Sequence, residues 1–198
     1  MQGEIEFWFD FASTYSYVAA MRIEEASARV GARVLWRPFL LGPIFEAQQG
    51  IKDSPFNVNP ARGLYMWRDL ERLCAKYRLP WRRPSVFPQN STLASRIAAV
   101  ATEESWGPDY VRAVFRANFA EARDIAARRV VESLLAQVGA DPQAVFARAE
   151  LSENKPRLRE LTTQAVRLGI FGAPNFIVNG ELFFGQDRLE DALALLSE

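Results

Sequence analysis

Two serines near the N-terminus, Ser13 and Ser16, have the spacing Ser-x-x-Ser directly after the apolar segment Ile5–Phe9. That segment has the character of a buried β-strand, and a helical pattern follows from Tyr15. The start of a helix carries free N–H groups and a partial positive charge, which lower the pKa of a thiol placed there. A Cys-x-x-Cys pair at such a turn performs dithiol–disulfide exchange. This chain has hydroxyls instead, so it could stabilise a thiolate that another molecule supplies. The alternative is a plain helix cap.

The composition excludes several other kinds of chemistry. The 198 residues contain no histidine, which excludes Ser-His-Asp triads, histidine general bases and histidine metal ligands. The single cysteine, Cys74, cannot form an intrachain disulfide, and its amphipathic helical surroundings predict a buried apolar role. We therefore expect no resident metal.

Charge and hydropathy favour neither nucleic acid nor membrane as a partner. Lys+Arg and Asp+Glu both number 24, so the net charge is zero. No apolar run approaches the ~20 residues that cross a bilayer, and the N-terminus lacks the pattern of a signal peptide. The sequence predicts a cytoplasmic protein.

The order of elements predicts β-α-β at the start of the chain and β-β-α at its end. Strands at Ile5–Phe9 and Arg33–Arg37 flank a helix expected over Tyr15–Val30, which is typical of a parallel, right-handed βαβ unit. Near the C-terminus, strands at Pro174–Val178 and Glu181–Phe184 are joined by Asn-Gly, the dipeptide of a two-residue hairpin turn. A final helix follows.

The middle of the chain has predominantly helical patterns. Residues 41–59 are rich in Gly, Pro, Gln and Asn and predict a long loop with at most a short helical turn. Six helices are expected beyond it, at Arg62–Tyr77, Thr92–Glu104, Pro108–Ala122, Val130–Val138, Pro142–Ala149 and Lys155–Leu168. The whole predicts an α/β protein with a thioredoxin-like fold, in which residues 1–40 and 169–198 form the thioredoxin-like domain. Residues 41–168 form a large all-helical insertion domain.

Two C-terminal segments are expected to meet the serine turn in such a fold. Ala173–Pro174 opens a strand at the place where thioredoxin-like folds have a cis X-Pro bond; the alternative is a trans proline. The cis form would expose the Ala173 N–H and C=O for pairing with an extended peptide. Gly185–Arg188 precedes the last helix, where free N–H groups attract a carboxylate and Asp187 could pair with an ammonium group; an ordinary Asp N-cap is the alternative. Together these features describe a glutathione site.

The ordered motifs resemble those of kappa-class glutathione transferases and 2-hydroxychromene-2-carboxylate isomerases, a group with a DsbA-like thioredoxin fold. The matching motifs are Phe9–Tyr17, Gly172–Pro174 and Phe184–Arg188, with further similarity in Gly63–Leu70 and Arg123–Ile125. The resemblance extends over essentially the whole chain. One departure is Thr14, where the family usually has proline.

The resemblance implies roles for particular residues. Ser13 would be the catalytic residue, because its hydroxyl would hydrogen-bond the glutathione sulfur and favour the thiolate. The implied glutathione-binding residues are Ser13, Asn57, Arg62, Ala173, Pro174, Gln186 and Asp187. Arg62, Arg68 and Asn90 are candidates for holding the carboxylate of the substrate.

The function implied is glutathione-dependent isomerisation of 2-hydroxychromene-2-carboxylate to trans-o-hydroxybenzylidenepyruvate, within aromatic-compound catabolism. The thiolate would add reversibly, the ring would open and rotate, and elimination would follow. A homodimer is implied as well. Three alternatives stay open: a kappa-class transferase that conjugates electrophiles, a DsbA-like disulfide oxidoreductase, which the missing Cys-x-x-Cys disfavours, and a binding module that retains only the glutathione pocket.

Overall fold

A mixed β-sheet lies at the centre of the protein in the computed structural model, which describes residues 3–196. Its strands are β1 (Glu4–Phe9), β2 (Arg33–Pro38), β3 (Asn175–Val178) and β4 (Glu181–Phe184), in the order β2-β1-β3-β4. Strand β1 is parallel to β2 and antiparallel to β3, which is antiparallel to β4. This arrangement confirms the predicted βαβ and ββα units and the Asn-Gly hairpin.

Helices pack against the sheet and form the middle of the chain. Within residues 3–196 they are α1 (Thr14–Ala20), α2 (Ile23–Arg29), α3 (Leu41–Gln49), α4 (Pro55–Val58), α5 (Pro60–Tyr77), α6 (Thr92–Ala101), α7 (Gly107–Phe119), α8 (Arg128–Gln137), α9 (Pro142–Ala149), α10 (Arg157–Arg167) and α11 (Leu189–Ala194). A short 3₁₀ turn, Gln186–Arg188, precedes α11. The six helices expected in the middle are all present, with ends that differ by a few residues. None of the helices in this part of the chain is both long and apolar enough to span a lipid bilayer.

The helix expected over Tyr15–Val30 is two helices, so that prediction was wrong. The break lies at Met21 and Arg22, where the Arg22 N–H bonds the Ala19 carbonyl three residues back, in a tightened turn. Apolar residues recur at helical spacing on both sides of the break, and neither Gly nor Pro marks it. Periodicity alone therefore could not detect it.

The expected loop over residues 41–59 contains two helices, α3 and α4, which corrects a second prediction. Proline disrupts a helix interior but is well accepted in the first turn, where its missing N–H has no partner to lose. Pro43 lies in the first turn of α3 and Pro55 opens α4, while Gly50 ends α3 in the left-handed conformation with φ 65°. These residues mark helix ends, and the loop interpretation mistook them for loop residues.

The hydrophobic core joins the sheet to the helical part of the chain. Ile5, Phe7 and Phe9 alternate along β1 and are fully buried on one face. The Phe9 and Phe11 rings pack against Phe115 of α7, with centroids 5.7 and 4.9 Å apart. The turn after β1 is thus anchored on a helix more than a hundred residues away in sequence.

Candidate functional site

A cavity of about 1110 Å³ opens beside the start of α1. Its walls come from the β1–α1 turn, from α3 and α4, from the first turns of α5, from the segment before α6 and from the residues before β3. Ligand pockets usually have volumes of about 300–1,000 Å³, so this one is large enough for more than one small ligand.

Ser13 is the N-cap of α1 and lies on the cavity wall. Its Oγ accepts a hydrogen bond from the Ser16 N–H at 3.1 Å and donates one to the Ala173 carbonyl at 3.0 Å. The Ser16 hydroxyl is buried and has no hydrogen-bond partner within residues 3–196. Of the two serines, Ser13 is therefore the one that can reach a ligand in the cavity.

The Ala173–Pro174 peptide bond is cis, as predicted from the sequence. Ala173 lies on the cavity wall beside Ser13, and the Pro174 carbonyl accepts a bond from the Gly185 N–H at 3.0 Å. The Ala173 N–H donates to no other group in the described part of the chain. Ala173 thus contributes to the cavity wall a backbone N–H without a partner in this part of the chain and a carbonyl that accepts from Ser13.

Asp10 is a buried carboxylate on the cavity wall that the sequence interpretation missed. It accepts hydrogen bonds from the Ala12 N–H (2.9 Å), the Leu41 N–H (2.8 Å) and the Ser91 hydroxyl (2.6 Å). Burial raises the pKa of this carboxyl above its ordinary value, while the three hydrogen bonds oppose the rise. Asp10 joins the serine turn to the starts of α3 and α6. An acid directly after an otherwise apolar buried strand was the available signal.

Tyr15 connects α1 to α5 at the cavity. Its hydroxyl donates to Asp69 at 3.0 Å. Burial, followed by the negative charge of Asp69, raises the pKa of this phenol above its usual range, so the hydroxyl stays protonated. The negative charge of Asp187 makes a smaller contribution to the same rise.

Of the other predicted residues, Arg62 and Asn90 lie on the cavity wall and are exposed. Asn57 and Arg68 do not lie on it. The Asn57 amide donates to the Asp53 carboxylate at 3.0 and 3.2 Å and to the Phe87 carbonyl at 2.9 Å, while Asp53 itself lines the cavity. Arg68 is exposed and pairs with Glu71 at 2.7 Å.

Gln186 and Asp187 lie in the 3₁₀ turn before α11, outside the cavity wall. The Gln186 side chain is buried, and its Oε1 accepts a hydrogen bond from Arg22 at 3.1 Å. The Asp187 carboxylate is 60% exposed and lies 3.2 Å from the Arg188 guanidinium. The turn therefore presents its Asp187 side chain to solvent and directs its Gln186 side chain to the interior.

Aromatic rings line much of the cavity, and two cations lie among them. The rings belong to Tyr15, Phe45, Phe56, Tyr65, Phe87, Phe171 and Phe184. Phe171 and Phe184 pack together with centroids 4.6 Å apart. Lys52 and Arg62 are exposed on the same wall. Apolar rings beside cations suit an aromatic ligand that carries a carboxylate.

A thioredoxin-like sheet whose first helix is capped by Ser13, next to Ala173 before the third strand, defines a DsbA-like protein without a thiol pair at that turn. The chain belongs to the DSBA-like thioredoxin domain family, whose match extends over residues 4–197.

Particular relatives agree with the resemblance seen in the motifs. The chain is 27% identical over 190 residues to a 2-hydroxychromene-2-carboxylate isomerase from Sphingobium xenophagum, covering 96% of each. It is 27% identical over 217 residues to glutathione S-transferase kappa 1 from Caenorhabditis elegans, covering 98% of this chain and 91% of the relative. A solved structure of a 2-hydroxychromene-2-carboxylate isomerase matches with a TM-score of 0.87 at 24% identity, covering 98% and 96% of the two chains. These comparisons confirm the predicted fold and family.

Proposed function

We propose that this protein is a glutathione-dependent isomerase of 2-hydroxychromene-2-carboxylate or a closely similar aromatic carboxylate. The observation that carries the proposal is a cavity with aromatic walls on which Ser13 bonds the Ala173 carbonyl, while the Ala173 N–H has no partner within residues 3–196. The isomerase relatives support the reaction class. A homodimer and a cytoplasmic location are part of the same proposal.

The residues of the cavity fit a cysteine-containing peptide. The Ala173 N–H has no partner within residues 3–196, so it can pair with the backbone of an extended peptide. Ser13 lies next to it and supplies a hydroxyl donor for a sulfur anion. Glutathione, when bound, supplies the nucleophilic thiol that the chain lacks at this turn.

The hydrogen bonds of Ser13 connect peptide binding to thiolate stabilisation. In the protein alone, the Ser13 O–H donates to the Ala173 carbonyl. A peptide N–H that pairs with this carbonyl competes for the same oxygen, and the hydroxyl can then rotate to donate to sulfur. Its oxygen continues to accept from the Ser16 N–H, so α1 stays capped.

The other end of the cavity can hold the substrate. Lys52 and Arg62 provide positive charge for a carboxylate, and the surrounding rings provide an apolar face for an aromatic ring. We assign substrate binding to these groups and to Asn90. Arg68, which pairs with Glu71 outside the cavity, is a weaker candidate.

The second candidate is a kappa-type transferase that conjugates glutathione to electrophiles, which the relatives named kappa favour. A disulfide oxidoreductase finds no support among the described residues. Both positions of the turn carry hydroxyls, and burial raises the pKa of the Cys74 thiol to about 11.

The test is isomerisation of 2-hydroxychromene-2-carboxylate, followed by the change in its ultraviolet spectrum. We expect turnover with glutathione and none with S-methylglutathione, which keeps the peptide but has no free thiol. Conjugation of chlorodinitrobenzene without isomerisation would support the transferase instead. Retention on immobilised glutathione without any turnover would show that the protein is only a binding module. We expect no reduction of insulin, the reaction of a disulfide oxidoreductase.

A further inference from the structure

Arg22 occupies a partly buried position behind the Gln186–Arg188 turn. Its side chain is 13% exposed, and its guanidinium lies 3.8 Å from the centroid of the Tyr77 ring. One nitrogen, Nη1, donates to Gln186 Oε1 at 3.1 Å and approaches the Gln186 carbonyl at 3.4 Å. The other, Nη2, pairs with Glu190 of α11. One side chain thus holds both the turn and the helix after it.

The position of Arg22 along the chain connects these contacts to Ser13. Arg22 lies in the break after α1, the helix that Ser13 caps at its other end. Seven helical residues span about 10 Å. Helix α1 and the Arg22 side chain therefore connect the Ser13 hydroxyl to the Gln186–Arg188 turn, in addition to the bond from the Gly185 N–H to the Pro174 carbonyl.

The turn itself has unused polar groups. Within residues 3–196, the backbone N–H groups of Gln186 and Asp187 donate to no other residue. The Asp187 carboxylate is largely exposed. Two N–H donors and one carboxylate match the carboxylate and ammonium groups of an α-amino acid.

We propose that Arg22 is a positioning residue for the γ-glutamyl end of glutathione, an inference that rests on the function proposed above. Arg22 binds the Gln186 side chain and so fixes the conformation of the turn. The backbone N–H groups of the turn and Asp187 then bind the amino-acid end of the tripeptide, while its sulfur lies at Ser13. Arginine suits this role because two separate nitrogens of its planar guanidinium bond Gln186 and Glu190 at once, whereas lysine offers one compact charged group to both partners.

The main test compares Arg22→Met with the unaltered protein. The methionine side chain can still pack against the Tyr77 ring, but it lacks the guanidinium that bonds Gln186 and Glu190. We expect the Kd and KM for glutathione to rise about tenfold, while kcat at saturating glutathione and the KM for the aromatic substrate stay within about twofold. Arg22→Lys should give an intermediate Kd. Cysteinylglycine, which lacks the γ-glutamyl group, should bind the parent and the Met variant equally.

A matched control is Arg112→Met. Arg112 is 22% exposed and pairs with Glu24 of α2 and Asp109 of α7, so its loss removes a comparable ionic contact away from the cavity. We expect the variant to lose stability with no change in glutathione affinity. An equal rise in Kd for both Met variants would show a merely structural role and overturn the inference.

The remaining outcomes separate this inference from the proposed function. If the parent protein binds no glutathione by calorimetry, both fail. If the parent binds and turns over substrate but Arg22→Met binds glutathione equally well, only the role of Arg22 fails. Should Arg22→Met not fold, Gln186→Met offers a second test, because it removes the side-chain bond and leaves the Arg22–Glu190 pair. It should also raise the Kd, and an unchanged Kd would again overturn the inference.

Discussion

Replacement of Ser13 by alanine removes one hydroxyl that has two partners, the Ser16 N–H and the Ala173 carbonyl. Loss of a serine N-cap typically costs about 0.5–2 kcal/mol of folding free energy. Removal of one donor that stabilises a developing or bound anion typically lowers kcat by about 10²–10³. We therefore expect a folded protein of slightly lower Tm whose isomerase activity falls by a far larger factor than its stability would explain.

Two further variants separate capping from catalysis. Ser13→Asp retains a side chain that caps helices as well as serine does, but its negative charge opposes a thiolate. Its helix cap should offset part of the stability that Ser13→Ala loses, although a carboxylate cannot donate to the Ala173 carbonyl, and its activity should fall further than that of Ser13→Ala. Ser16→Ala removes an equal hydroxyl one helical turn further on, which has no partner within the described residues, and should retain activity within about twofold.

The assay measures kcat together with the pKa of the bound glutathione thiol, followed by thiolate absorbance against pH. Ser13→Ala should raise that pKa because it removes a hydrogen bond to the charged form. Unchanged activity and an unchanged thiol pKa in Ser13→Ala would refute the reasoning, as would an equal loss in Ser16→Ala.

Three further predictions follow from the cavity wall. Asp10→Asn leaves one N–H, such as that of Leu41, without its acceptor, and should lower the free energy of unfolding by about 1–3 kcal/mol in chemical denaturation. Burial raises the pKa of Asp10 in the folded protein above its ordinary value of 3.8. Just above pH 3.8 the folded protein therefore binds more protons than the unfolded chain, and its stability falls as the pH rises. This decline should be absent in Asp10→Asn. Gly172→Ala places a Cβ 2.6 Å from the Phe184 ring, which must shift, and should raise the KM for the aromatic substrate with little loss of Tm. Lys52→Met should also raise the KM for the aromatic substrate, because it removes a charge that attracts the carboxylate, and the KM of the variant should depend less on salt concentration. An unchanged KM would show that Lys52 does not bind the substrate.

The strands were predictable from the sequence because local signals agree with the final structure. Asn179-Gly180 forms the hairpin turn, with φ of 52° and 82°, and β4 begins and ends where the pattern indicated. The break between α1 and α2 was not predictable, since no glycine or proline marks it and Arg22, which lies in it, has its side-chain partners far along the chain. Gln186, its partner, lies 164 positions along the chain.

The site was predictable in part for a similar reason. Ser13 and Ala173 belong to motifs whose backbone geometry is local, so the sequence indicated both. Asp10 has two of its three partners in other segments, at Leu41 and Ser91, and no short pattern encodes that convergence. Likewise the resemblance implied Asn57 as a glutathione-binding residue, yet its amide donates to the Asp53 carboxylate and the Phe87 carbonyl.

The groups nearest Ser13 explain why the proposed chemistry depends on an external thiol. Asp10 has its carboxylate oxygens committed to three hydrogen bonds. Tyr15 donates to Asp69, and burial raises its pKa, so this phenol stays protonated and cannot accept a proton. The chain has no histidine to replace them. What these residues contribute is position and a stabilising hydrogen bond, and the rate then depends on how much of the bound thiol is ionised. Activity should consequently rise with pH along a single ionisation, and Ser13→Ala should shift that midpoint upward together with the thiol pKa.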